Sequence, residues 1–180
     1  VQQLQAIGSY SEKNGDDKAR VSLLDIWQQQ SKSVTRNSEA VQCYACSMMA
    51  VGDEVAAEKV LRDQLNREWN TSLIDLYGLV LGSDVNKQLL HAENWLKERN
   101  NDARLFLCLG RLSLRNSLWG KAREYFETSN KLLASGEACG ELGRLLANLG
   151  KHELSNKYFQ KGLLINSPSL PKLPMLSHSG

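Results

Sequence analysis

Proline is missing from the first 167 of the 180 residues, and all three prolines (Pro168, Pro171, Pro174) fall in the last thirteen. Proline breaks helix interiors, so its absence leaves a long stretch free to be helical. The chain also lacks any run approaching the ~18 consecutive apolar residues of a membrane span. It opens on Val1 and carries no signal-peptide pattern. The expectation is a fragment or processed form, in which an anchor lying elsewhere would leave no trace. Charge of one sign is lacking too. Lys and Arg number 22 against 20 Asp and Glu, a formal net charge of +2. That balance supplies no general attraction to nucleic acid. Cysteine is sparse: Cys43, Cys46, Cys108 and Cys139 lie in apolar helical patterns without the spacing of a secreted disulfide framework. Free buried thiols in a reducing compartment are expected.

What is present fits one domain or one small array, burying roughly 70% of the extended-chain surface. With 42% hydrophobic and 23% charged residues, the composition excludes a disordered tail, a collagen-like repeat and a disulfide-dense mini-protein. A pattern then recurs four times. It reads Val41-x2-Tyr44-Ala45 with Ala57-x3-Leu61, then Ile74-x2-Tyr77-Gly78 with Ala92-x3-Leu96. It continues as Phe106-x2-Leu109-Gly110 with Ala122-x3-Phe126, and Cys139-x2-Leu142-Gly143 with Ser155-x3-Phe159. The first small residues (Ala45, Gly78, Gly110, Gly143) stand 33, 32 and 33 apart. The spacing within each block is 12, 14, 12 and 12, so the second block is irregular around Gly82-Ser83-Asp84.

This is the tetratricopeptide pattern, in which facing small residues let two helices cross closely. It predicts an all-α fold, a right-handed superhelical stack of antiparallel helix pairs. No pair buries its apolar face alone, so neighbours bury it jointly. We expect an N-terminal helix of an incomplete repeat over 16–36, an array of about four pairs over 37–166 and a flexible proline-containing tail over 167–180. The expected helices start near Asp16 or Asp17, at Asn37 or Ser38, and then span 54–68, 73–81 (capped by Thr71 or Ser72), 87–99, 103–115, 118–134, 137–149 and 151–165. The packing residues are Ala45, Ala57, Gly78, Ala92, Gly110, Trp119, Ala122, Phe126, Gly143 and Phe159.

Three segments carry a narrower likeness: Arg67 through Gly78, Ala92 through Lys97, and Leu109-Gly110-Arg111-Leu112 with Leu118 through Glu127. Within the last, Leu118-Trp119-Gly120-Lys121-Ala122-Arg123 is more specific than the repeat, which does not demand Trp119 or Gly120. Together these segments resemble the HemY-type tetratricopeptide proteins of proteobacteria. The resemblance implies an inner-membrane protein associated with late haem (porphyrin) biosynthesis, acting as a scaffold or regulator. Its hydrophobic N-terminal region is absent from this chain, which looks like the soluble C-terminal portion with the array facing the cytoplasm. The implied partner is a protein, with haem-biosynthesis enzymes as candidates. No G-x-G-x-x-G after a strand is present, so a flavin-dependent protoporphyrinogen oxidase is not supported.

Register from the repeat places Arg104, Leu107, Arg111, Leu114 and Arg115 on the groove side of one helix, and Glu137, Gly140, Arg144, Ala147 and Asn148 on that of the next. Four arginines (Arg104, Arg111, Arg115, Arg144) then share a concave wall. Guanidinium groups bind carboxylates bidentately, so a peptide C-terminus, an acidic segment or a porphyrin propionate would fit. The alternative is ordinary pairing with Glu137 or Glu141.

Cys43-x2-Cys46 is followed by Ser47 rather than His, and no second pair is near, so it reads as helix packing rather than haem attachment or zinc. His91, His152 and His178 are read as surface or packing residues, with axial haem ligation as the other possibility. Trp27, Trp69, Trp95 and Trp119 are expected to seal junctions between repeats; exposed ones would offer a membrane or porphyrin contact. No nucleophile–base pair, catalytic carboxylate pair or phosphate loop stands out, so we expect no enzyme, no metal and no cofactor, with haem left open. The function expected is a non-catalytic interaction scaffold. A haem or porphyrin carrier and a homo-oligomerisation module are the alternatives.

Overall fold

A computed structural model describes residues 16–169. The expected tail therefore lies outside the described residues beyond Ser169, as does His178. Among the described residues all regular structure is helical. A first helix, α1 (Asp16–Gln28), and a single turn, α2 (Lys32–Thr35), precede four antiparallel pairs. These are α3 (Ser38–Ala50) with α4 (Glu54–Leu65), α5 (Thr71–Tyr77) with α6 (Val85–Trp95), α7 (Ala103–Arg115) with α8 (Trp119–Leu132), and α9 (Gly136–Asn148) with α10 (His152–Asn166). The all-α class and the stack of helix pairs are as the repeat predicts.

Local chemistry sets the helix starts. Asn37, Asp53, Asp84, Asp102 and Ser135 each accept a hydrogen bond from a backbone N–H of the first turn. Each such cap stabilises by about 1 kcal/mol. At α5 the start differs from expectation: Asn70, not Thr71 or Ser72, accepts from the N–H groups of Ser72 and Leu73. The turns inside three pairs share a device. Gly52 (φ 79°), Ser117 (φ 58°) and Gly150 (φ 72°) each stand seven residues after the small residue of the first helix, in the left-handed region. Glycine adopts it without strain, and serine does not.

The small residues let the helices meet. Ala45, Ala57, Ala92 and Ala122 are fully buried. A Cβ on Gly110 would fall 2.3 Å from the Phe126 ring, and one on Gly143 2.7 Å from the Phe159 ring. Gly78 instead lies against Cys108 of the following pair, where a Cβ would stand 3.0 Å from its Cα. The core divides in two. A larger cluster runs from Leu23 of α1 to Leu112 of α7, and a smaller one joins Leu107, Phe126, Leu142 and Leu146.

The irregular pair shows why its spacing is 14. The helix expected over 73–81 ends at Tyr77, and an irregular link carries the chain to Asp84. Side chains from three pairs hold that link. Glu54 of α4 accepts from Leu81 N–H, and Gln88 of α6 accepts from Gly82 N–H at 3.0 Å. Gln88 Nε2 donates to the carbonyls of Tyr77 (3.1 Å) and Val80 (3.2 Å). From α7, Arg115 donates to the carbonyls of Leu79 and Val80, and Asn116 just after it donates to that of Val85 at 3.1 Å. Beneath lies a buried polar group in which Glu58 accepts from Tyr77 Oη (2.9 Å) and from Arg62 Nη1 (2.7 Å).

Candidate docking surface

The first helices of the pairs (α3, α5, α7, α9) line up side by side. Position nine of each repeat is exposed on α3 (Cys46) and α9 (Arg144), and only partly so on α7 (Arg111). Leu107 departs from the expected register: it is fully buried in the smaller core cluster, where α9 covers it.

Arg104, Arg111 and Arg144 come together, but in an alternating chain of charges. Asp75 of α5 faces Arg104 of α7, whose Nη1 stands 3.5 Å from Asp75 Oδ1 and 3.2 Å from Glu137 Oε2 of α9. Glu137 Oε2 also meets Arg111 Nη2 at 3.4 Å, and Arg111 Nε donates to Glu141 Oε1 at 3.1 Å. Glu141 Oε2 accepts in turn from Arg144. Three arginines thus alternate with three carboxylates across α5, α7 and α9, and their formal charges cancel. The pairing alternative is what the geometry supports. The Arg111 side chain is only 13% exposed, whereas that of Arg144 is 68% exposed. Arg115 stands apart, bound to the backbone carbonyls of the 78–84 link rather than facing a ligand.

Two titratable groups record this packing. Burial pushes the Asp75 carboxyl above its ordinary value, with Arg104 pulling it down and Glu137 pushing it up. Its buried Oδ1 is held by Arg104 through charge at 3.5 Å rather than by a hydrogen bond. Burial also lowers the Arg115 guanidinium from its usual value, and the nearby Glu54 carboxylate works against that. Desolvation disfavours the charged form in both cases.

Sequence reasoning missed Asp75, although it stands three residues before Gly78, a groove position of the repeat. It also missed an apolar cavity of about 660 Å³ beside the charge chain. Leu114 of α7, Trp119 of α8, Arg144, Leu145, Asn148 and Leu149 around the end of α9, and Phe159 of α10 line it. Trp119 is 50% exposed and seals no junction. The Leu118-Trp119 pair beside the Gly-containing helix start was the available signal.

The other tryptophans do close junctions. Trp27 stacks on Tyr44 with centroids 4.2 Å apart, and Trp69 meets Trp95 edge-on at 5.5 Å. Trp69 Nε1 donates to Asp102 Oδ2 and Trp95 Nε1 to Asn66 Oδ1, both at 2.8 Å. Cys108 and Cys139 are buried, Cys43 is half-buried and Cys46 is exposed. His91 and His152 are exposed. No described helix is long and apolar enough to cross a membrane, and no group of three or more metal-ligating side chains is found among the described residues.

Fold and surface together define an all-α tetratricopeptide-like helical repeat protein. Solved structures of MamA share that fold. One described as a MamA RS-1 ArsTM double mutant superposes with a TM-score of 0.56 at 16% identity, covering 93% of this chain and 94% of its own. MamA residues 41 to the end from Desulfovibrio magneticus RS-1 gives 0.54 at 15%, covering 93% and 96%. A further MamA crystal structure gives 0.51 at 16%, covering 98% and 97%. At these identities the likeness is one of fold. No protein-family model and no curated protein matches the chain, and the HemY-type resemblance is not confirmed by these comparisons.

Proposed function

We propose that the chain is a non-catalytic protein-docking scaffold. Its partner seats an apolar side chain in the cavity beside Trp119 and an acidic group against Arg144. The observation that carries this reading is the pairing of that cavity with the outermost member of the charge chain. A large half-exposed indole next to a guanidinium is the composition from which interface hot spots are built. Arg104 and Arg111 orient the wall through Asp75, Glu137 and Glu141, and Arg115 holds the adjacent link, so partner contact falls mainly on Arg144. Its complementarity to an acidic group favours on-rate and specificity. The setting we assign is inner-membrane-associated haem (porphyrin) biosynthesis. It rests on the HemY-type resemblance of 67–78, 92–97 and 109–127 alone.

The test is affinity capture from source-cell membranes with four baits: the unaltered chain, Trp119→Ala, Arg144→Glu and the control Lys157→Glu. The expected result is a protein retained by the unaltered chain and the control and lost by both cavity variants. Equal capture by all four baits overturns the reading.

The same cavity favours a second reading, a porphyrin carrier, because an indole face and a guanidinium also suit a planar aromatic carboxylate. No histidine lines it, so imidazole ligation from its walls is not part of that reading. Titration with haem would give a saturable Soret shift that Trp119→Ala weakens. An unshifted band at micromolar haem removes it.

A further inference from the structure

Phe126 and Phe159 occupy the same position in successive repeats, 33 residues apart, yet Phe126 is 0% exposed and Phe159 is 42% exposed. The first helix of the following pair accounts for the difference. Phe126 shares the smaller core cluster with Ala138, Leu142, Leu145 and Leu146 of α9. Their spacing of i, i+4, i+7 and i+8 puts these four on one side of that helix. The acids beside them, Glu137 and Glu141, are the ones that meet Arg111. The internal junction is thus a template. A helix covers the phenylalanine with its apolar side and brings carboxylates to the arginine at position nine of the repeat before it.

One repeat further on, the receiving half of that junction is present, and no described helix follows α10 to cover it. Phe159 stands where Phe126 does, and Arg144 where Arg111 does. Both line the cavity of about 660 Å³ beside Trp119. Arg144 pairs with Glu141 of its own helix and remains largely exposed. The receiving side is also lower than at the internal junction, with Gly140 in place of Leu107 and Ala147 in place of Leu114. A Cβ on Gly140 would meet nothing within 4 Å, so a helix can approach this side of α9 closely. Leu163, one turn beyond Phe159 on the same side of α10, is exposed and stands where Asn130 does. It adds apolar surface at a place where the internal junction is polar.

We infer that the docking partner is a protein that presents an amphipathic α-helix to this side of the last pair. Its apolar residues, spaced i, i+4, i+7 and i+8, lie over Phe159, Leu163 and Ala147, and an acid on it meets Arg144 as Glu141 meets Arg111. The inference deepens the docking reading and rests on it: that reading asks for an apolar group and an acidic group, and the internal junction gives them a helical spacing. Helix-in-groove recognition uses anchors at such intervals. Covering Phe159 and Leu163 is favourable by ~25 cal/mol per Å² of apolar surface. The sides of α1 and α9 that carry this spacing are already spent within the chain. Ala19, Leu23, Ile26 and Trp27 of α1 pack in the larger core cluster, and Ala138, Leu142, Leu145 and Leu146 of α9 in the smaller. A different protein therefore supplies the helix, rather than either of these helices from a second copy.

The probe is a fluorescein-labelled peptide with the sequence of residues 135–149, held helical by a lactam bridge between the positions of Gly136 and Gly140, opposite its apolar side. Fluorescence anisotropy follows its binding to the full chain under reducing conditions. The expected result is saturable binding that Glu141→Lys in the peptide weakens roughly tenfold, a change within reach of one close charge pair. Pairing that peptide with the Arg144→Glu chain should restore the affinity. Leu163→Ser in the chain should weaken the unaltered peptide severalfold. Arg144 and Leu163 are both exposed, and circular dichroism confirms that these variants keep their helicity. An unaltered peptide that binds the Arg144→Glu chain as tightly as the parent chain has displaced α9 beside Arg111 instead, and overturns the inference. Failure to saturate also overturns it and leaves the docking reading standing, because the four-bait capture decides that reading. Light scattering of the chain alone covers the last case: a dimer that Leu163→Ser returns to monomer puts a second copy on this face and overturns the inference.

Discussion

The ring of Phe126 lies so close to Gly110 that a Cβ there would stand 2.3 Å from its Cε1. Phe126 is fully buried and has nowhere to go. At the equivalent Gly143 the clash would be with Phe159, which is partly exposed. Gly110→Ala is therefore expected to destabilise by about 2 kcal/mol, since overpacking outweighs the roughly 1 kcal/mol gained in helix propensity. Gly143→Ala should stay within about 1 kcal/mol of neutral, because Phe159 swings outward. Urea unfolding midpoints of the two variants check the asymmetry; equal losses would contradict it.

Ser117 holds a left-handed backbone at a turn where two other pairs use glycine. Ser117→Gly should remove that strain and stabilise by about 1 kcal/mol. Gly150→Ala should do the reverse by a similar amount. Thermal melts of both variants give the comparison.

Within the charge chain, Arg111 and Arg144 differ in burial, so their losses should differ. Arg111→Ala strands the mostly buried Glu141 without its inner partner. It is expected to cost about 3 kcal/mol, little reduced by 0.5 M salt. Arg144→Ala removes an exposed partner and should cost no more than about 0.5 kcal/mol. A small loss for Arg111→Ala would mean that the row is not the tight ladder described.

The Asp75 carboxyl, raised by burial, gives a sign for pH dependence. The folded state holds its proton more tightly than the unfolded chain does, so this group's unfavourable contribution sets in as pH rises through the window above its ordinary value and is fully present at neutral pH. Asp75→Asn is accordingly expected to raise the urea midpoint at pH 7 and to leave it unchanged near pH 3. A variant less stable than the parent at pH 7 would show that the Arg104 pairing outweighs desolvation.

How much of this was legible in the sequence depends on the range of each interaction. Caps are local, so the start expected at Asn37 or Ser38 is found there, with Asn37 as the cap, whereas the helix expected over 87–99 begins two residues earlier, at Val85 behind Asp84. The period of 33 and 32 exposed the helix pairs for the same reason. The early end of α5 was not legible, because the groups satisfying its link, Glu54 and Arg115, come from 27 and 35 or more residues away. Likewise the register placed Arg104, Arg111 and Arg144 on one wall, yet its charge is decided by acids on neighbouring helices. Asp75 and Glu137 lie 29 and 33 positions from the arginine they flank. Trp119 shows a related limit. Its apolar character says that burial would be favourable, and only the neighbours say whether burial happens.

The link at 78–84 has one more consequence. In a repeat array each unit ordinarily feels only its neighbours, so such chains tend to open from their ends one pair at a time. Here a single short segment is gripped by side chains of the pair before it, its own pair and the pair after it. Opening any one of the three releases backbone groups that the other two were built to satisfy. The middle of the array should thus melt as one block, with the last pair opening separately, and amide exchange would report two cooperative units instead of four.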